Sequence, residues 1–204
     1  MVSTTANFLS IFLSGMTSAS KVSVSAMRRL IEHANPLIPP LFDPEPPLSL
    51  PAALSISDIR IFDANFAPTD GYCLLLITEG RGFLEFTKNT AQNITKDDTD
   101  HNNFDHYSLK KYSLFFFPLS KHWRLYLENA PWKFYLFFLS GSSISYYNKL
   151  FSDSAKEPFV ISGSSMLPLH LSHLYDALSD CNHDPLWLSE QLTSLLCLTI
   201  KEAR

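Results

Sequence analysis

Hydrophobic and polar positions alternate in short runs through the middle of the chain and recur at helical spacing towards its end. Tyr72 to Thr78 (YCLLLIT) is a continuous apolar run. It ends at Glu79-Gly80-Arg81-Gly82, and Phe83 to Phe86 follows. Two glycines at that spacing suit a tight turn with φ > 0, so the segment predicts a hairpin. Further strands are expected around Ile56, Ile59 and Ile61, then at Tyr107 to Leu109, Ser113 to Phe117, His122 to Leu127 and Trp132 to Leu139. Lys110-Lys111, Pro118-Leu119-Ser120 and Asn129-Ala130-Pro131 separate the later ones. Many short strands with frequent turns predict a sandwich or barrel over residues 55–162. The polar stretch from Thr87 to His106 has no apolar periodicity and predicts a long surface loop.

After Gly141 the period changes. Ser142 or Ser143 can cap a short helix through Tyr146, Tyr147, Leu150 and Phe151. Pro158 to Ile161 reads as one last strand. Leu167, Leu171, Leu174 and Leu178 recur at steps of four, three and four, which is one apolar helix face. Asp184-Pro185 is a helix start, with Asp as N-cap and Pro at the first helical position. Leu188, Leu192, Leu195, Leu196 and Ile200 form a second stripe, wider than one contact face requires. Such a surplus predicts an exposed patch, and hence a homodimer centred on this helix. Residues 163–204 therefore read as a helical dimerisation hairpin.

The first 54 residues differ. Seven of the 13 prolines lie at Pro36, Pro39, Pro40, Pro44, Pro46, Pro47 and Pro51. Proline fixes φ and lacks an N–H, so this stretch predicts an extended arm. A helix-compatible piece, 22–33, precedes it. No apolar run approaches the ~18 residues of a membrane span, and no basic n-region of a secretory signal precedes Lys21. Asn93-Ile94-Thr95 is a sequon that matters only in a secreted chain.

Composition narrows the chemistry. The chain has 204 residues, 46% hydrophobic and 18% charged, which permits a sizeable core. Its formal net charge of −4 argues against a whole-chain grip on nucleic acid. Cys73, Cys181 and Cys197 are too few for a disulfide framework and read as buried thiols in a reducing, cytoplasmic compartment. Cupin enzymes hold a metal with paired histidines and a carboxylate on one strand and a histidine on a later one. Here the early strand has no histidine and only His122 stands on a later one, so neither a metal nor catalysis is expected. The acidic loop of Asp97, Asp98, Asp100, His101, Asp105 and His106 lacks calcium-loop spacing. Gly80-x-Gly82 lacks the third glycine of a dinucleotide loop. No helix-turn-helix with a basic recognition helix is visible.

The order of these features resembles the sensor domain of AraC-type transcription regulators. The stretch Gly71-Tyr72-Cys73-Leu74-Leu75-Leu76-Ile77-Thr78-Glu79-Gly80-Arg81-Gly82 is similar to its opening strand pair. Tyr107-Ser108-Leu109-Lys110-Lys111 with Leu114-Phe115-Phe116-Phe117-Pro118 is similar to the next hairpin, although Tyr112 stands where a glycine is usual. His122, then Pro131-Trp132-Lys133-Phe134-Tyr135-Leu136-Phe137-Phe138-Leu139-Ser140-Gly141, resembles its later stretch. The resemblance covers roughly residues 55–204. It implies a cupin-like, jelly-roll β-barrel followed by a helical hairpin. It also implies a small effector, often a sugar, bound without catalysis or cofactor, and DNA contacted through a helix-turn-helix domain that this chain does not include.

Strand alternation from Glu79 puts Ile77, Leu75 and Cys73 on its face, and alternation from Trp132 gathers Phe134, Leu136 and Phe138. The expected effector site is therefore Leu75, Ile77, Glu79, His122, Trp132, Phe134 and Leu136. Glu79 and His122 supply polarity there, and Trp132 and Phe134 supply stacking surface. The expected dimer contact is Leu188, Leu192, Leu195 and Leu196. Two alternatives stay open: a stand-alone dimeric module from a truncated regulator, and a cupin enzyme.

Overall fold

A computed structural model describes residues 47–59, 62–88, 104–155, 157–179 and 184–204. The expected helix at 22–33, most of the proline-rich arm, the sequon, Cys181 and residues 89–103 of the expected loop lie outside the described residues.

Among the described residues, seven strands form an antiparallel sheet. They are β1 (Ser49–Ile59), β2 (Asp63–Phe66), β3 (Tyr72–Thr87), β4 (Phe104–Leu109), β5 (Ser113–Pro118), β6 (Trp123–Ser140) and β7 (Phe159–Val160). Two of them are long, and this corrects two expectations. Glu79-Gly80-Arg81-Gly82 is not a hairpin turn but the middle of β3. Asn129-Ala130-Pro131 is likewise the middle of β6. The strands bend there instead of reversing, because the β3–β6 register slips between Ile77 and Glu79, between Glu79 and Arg81 and again between Arg81 and Gly82.

Each long strand thereby serves two layers. The first half of β3 pairs with β5 and with the second half of β6, which also pairs with β1. The second half of β3 pairs with β4 and with the first half of β6, which also pairs with β2. Cys73, the partner of Phe117, is about 13 residues, or ~43 Å of straight strand, from Phe86. Yet the Phe86 and Phe117 ring centroids are 5.0 Å apart. The sheet is folded over on itself, with the inner faces of both layers sharing one core. That core holds Leu54, Ile56, Phe62, Phe66, Leu84, Phe86, Phe115, Phe117, Trp123 and Leu125 among others.

β1 opens at Ser49, inside the stretch expected to be an arm. Leu48 and Leu50 are buried, so the last residues of that stretch belong to the sheet. Pro51 is accommodated because β1 is an edge strand and its pairing with β6 is irregular between Ser49 and Ala52. Tyr112 has φ 68°, the left-handed conformation usual for a glycine at this turn. The turn is held from both sides: the Tyr112 N–H donates to the Ile77 carbonyl at 2.7 Å, and its carbonyl accepts from Ile161 at 3.0 Å.

The outer face of the first layer is covered by α1 (Ile144–Ser154), α2 (Leu167–Ser179) and α3 (Pro185–Glu202). A second core fills this space, with Leu74, Leu76, Phe116, Phe137 and Leu139 from the strands and Phe151, Leu171, Leu192 and Leu195 from the helices. Asp184 caps α3 as expected, its carboxylate accepting from the Leu186 N–H at 3.0 Å. Asp184→Ala should lower stability by about 1 kcal/mol, read as a shift in the urea midpoint. An unchanged midpoint would mean that the cap is idle.

Candidate functional site

The expected effector-site residues separate into two groups. Cys73, Leu75 and Ile77 pair with Phe138, Leu136 and Phe134 across β3 and β6. All six, with Trp132, lie in the inner core. Lys133 and Tyr135 take the other face, as alternation predicts; Tyr135 packs on the second core. Leu75, Ile77, Trp132, Phe134 and Leu136 are therefore brought together, each no more than 1% exposed.

Glu79 and His122 do not join them. Between Ile77 and Glu79, β3 advances two residues while β6 advances one, from Phe134 to Lys133. This bulge moves Glu79 to the face of Lys133, where the two side chains form an ion pair at 3.2 Å. His122 is exposed, and its carbonyl accepts from the Thr87 N–H at 3.0 Å. Glu79 thus lies beside the bend of β3, and His122 beside its last residue, Thr87.

Trp132 sits at this bend of the two strands. Its indole lies across Gly80 and Gly82. A Cβ at Gly82 would stand 2.5 Å from the Tyr126 carbonyl oxygen and 2.6 Å from Trp132 Cζ2. At Gly80, where φ is 91°, it would stand 2.7 Å from the Pro131 carbonyl oxygen and run into the indole Cδ1. Phe62 and Phe134 meet the same indole, at centroid distances of 6.0 and 4.7 Å. Among the described residues, no hydrogen-bond partner faces the buried Trp132 Nε1. The described residues also bury no charged side chain. Burial pushes the Cys73 thiol well above its usual pKa, which keeps it protonated. Cys197, expected to be buried, is instead exposed on α3.

Alternation along the sequence did not single out a polar network on the outer face of the second layer. Arg124 of β6 grips Asp63 of β2 through two hydrogen bonds, Nε to Oδ1 at 2.8 Å and Nη2 to Oδ2 at 2.7 Å. The Asp63 hydrogen bond raises the guanidinium pKa further. Glu85 of β3 accepts from the Tyr126 hydroxyl at 2.9 Å, meets His106 Nδ1 at 3.0 Å and faces Arg124 Nη1 at 3.6 Å. Four strands are thus stitched together by saturated polar groups. The only signal in the sequence was that Asp63, Glu85, Arg124 and Tyr126 occupy outward positions in otherwise alternating strands.

This network makes stability depend on pH at the alkaline end. Desolvation, then the hydrogen bond to Glu85 and its charge, raise the Tyr126 pKa from 10.0 to about 12. The contribution is complete below pH ~10, where the unfolded phenol is protonated, and is lost as pH rises through 12. Tyr126→Phe should therefore show a shallower fall in denaturation midpoint between about pH 10 and 12 than the wild type. Equal slopes would disconnect Tyr126 from this linkage.

The expected dimer residues are also relocated. Leu188 is 5% exposed and Leu192, Leu195 and Leu196 are 0% exposed within the single chain. The stripe is wide because α3 touches α1, α2 and β1 together. These leucines fasten the helix to the sheet and form no exposed patch. The outward face of α3 carries Leu186, Glu190, Ser194, Cys197 and Lys201.

No protein-family profile matches the sequence, and no curated protein matches it. Among solved structures, the chain is similar to the AraC-like transcriptional activator CuxR, with a TM-score of 0.47 and 14% identity over 90% of this chain and 66% of that one. It is also similar to BH2720 from Bacillus halodurans, with a TM-score of 0.38 and 13% identity over 61% and 85% of the two chains. The plu4264 protein from Photorhabdus luminescens gives a TM-score of 0.36 and 13% identity over 66% and 98%. The described residues include no helix long and apolar enough to cross a membrane.

Proposed function

We propose that this chain is the effector-binding and dimerisation part of an AraC-type transcription regulator, acting in the cytoplasm without catalysis or cofactor. DNA would be contacted by a helix-turn-helix domain outside this sequence. One observation carries the reading: the ordered motifs at 71–82, 107–118 and 131–141 fall on strands that enclose an aromatic core, with the helices packed outside it. In this reading a small molecule would enter among the inner-face residues, and the helices would pass the resulting change in the sheet to a partner subunit. The effector site consists of Leu75, Ile77, Trp132, Phe134 and Leu136. Self-association uses the outward face of α3 or another helix, since its leucines are occupied.

A thermal-shift screen against sugars and small aromatic metabolites tests the first half. A ligand at 100 times its Kd stabilises by about 2.7 kcal/mol, several degrees in a domain of this size. Sedimentation equilibrium tests the second. A monomer at tens of micromolar that no small molecule stabilises would end the proposal.

A further inference from the structure

Among the described residues two buried side-chain polar atoms have no hydrogen-bond partner, Trp132 Nε1 and His170 Nε2, and Trp132 is the one in the inner core. Buried donors are almost always paired, and an unpaired one forfeits the hydrogen bond it made to water. Trp132 is 0% exposed, and none of the described residues accepts from it. Its ring cannot easily turn to find an acceptor, because Gly80 and Gly82 lie against one side and Phe62 and Phe134 pack on it. The surroundings set the chemistry of whatever accepts. The core around the indole is aliphatic and aromatic, and no charged side chain is buried among the described residues to balance an ion. A molecule rich in hydroxyls would leave most of them unpaired there. A flat apolar body with one acceptor atom would satisfy the indole and leave nothing of its own unsatisfied.

We infer that the Trp132 Nε1–H is the polar anchor of an internal site for an uncharged, largely aromatic ligand carrying one hydrogen-bond acceptor, such as a ketone oxygen. This rests on the reading of the inner core as an effector site, and replaces the sugar with an aromatic carbonyl compound. The test uses 1-indanone, its hydrocarbon indane and glucose as probes of the 15N-labelled chain. Its three tryptophans give three indole N–H resonances, assigned by Trp123→Phe, Trp132→Phe and Trp187→Phe. The Trp132 resonance should move downfield with 1-indanone and stay in place with indane. Trp132→Phe should weaken 1-indanone about tenfold more than it weakens indane. Should that variant not fold, the wild-type resonance alone decides. Equal responses to 1-indanone and indane would overturn the anchor. Glucose binding that perturbs the inner core but leaves the Trp132 resonance in place would overturn the ligand class and spare the effector site. No response in the inner core to any of the three would overturn both.

Discussion

Leu192→Glu with Leu195→Glu should abolish folding, and should not release a folded monomer. Both positions are 0% exposed and sit between α3 and the sheet. Each substitution removes a buried leucine, worth about 2–5 kcal/mol, and adds a carboxylate with no buried cation to pair it. The sum is comparable with the whole stability of a domain, about 5–15 kcal/mol. Neighbouring hydroxyls offer no relief. Thr199 is buried, and its Oγ1 already donates to the Leu195 carbonyl at 2.8 Å. Far-ultraviolet circular dichroism and size-exclusion chromatography read the result. A folded, monomeric double variant would restore the exposed patch that the width of the stripe suggested.

Gly82→Ala and Gly80→Ala form the second large prediction. At Gly82 the added methyl would lie 2.5 Å from a carbonyl oxygen of β6, which cannot retreat without breaking strand pairing. Overpacking of this kind costs about 1–3 kcal/mol. At Gly80 the left-handed φ adds about 1–2 kcal/mol to the clash. The Gly80 variant should therefore be the less stable of the two, by about 1 kcal/mol or more in urea denaturation. Trp132→Ala in the Gly80→Ala background should recover part of the methyl's cost, because it removes one of the two groups the methyl meets. A Gly80→Ala protein as stable as the wild type would mean that the indole does not lie against Gly80.

These glycines also mark where the sequence stopped being legible. The faces of β3 and β6 followed from simple alternation as far as Ile77 and from Trp132 onward. Between them, a Gly-x-Gly pair has two physical uses, a reversal of direction or room for a large neighbour. The local pattern does not separate them, because the neighbour, Trp132, lies some fifty residues away. The bulge just before this pair, between Ile77 and Glu79, carries Glu79 to the face of Lys133, and it shows only in the pairing of β3 with β6. The leucines of α3 posed a similar problem. A wide stripe fits one neighbour plus a partner subunit, or several neighbours in the same chain, and only the packing of α1, α2 and β1 decides. By contrast, the Asp184-Pro185 helix start is encoded within a few residues and was readable directly.

The folding of the sheet has a consequence for how the chain is made. β1 pairs with β6, and Ser49 with Ser140 at a separation of 91 residues. A nascent chain that has just exposed β1 has no strand to set beside it until nearly all of β6 has been synthesised. The β3–β4 and β3–β5 pairs become available first, but each offers only part of the aromatic core. The second layer also closes through β6, since β2 pairs with it too. Emergence of a single strand therefore supplies the missing partner in both layers, and only the short β7 joins β5 afterwards. During elongation the phenylalanines of β3 and β5 wait uncovered, so a slowed ribosome before β6 would lengthen the interval in which this chain is most prone to aggregate.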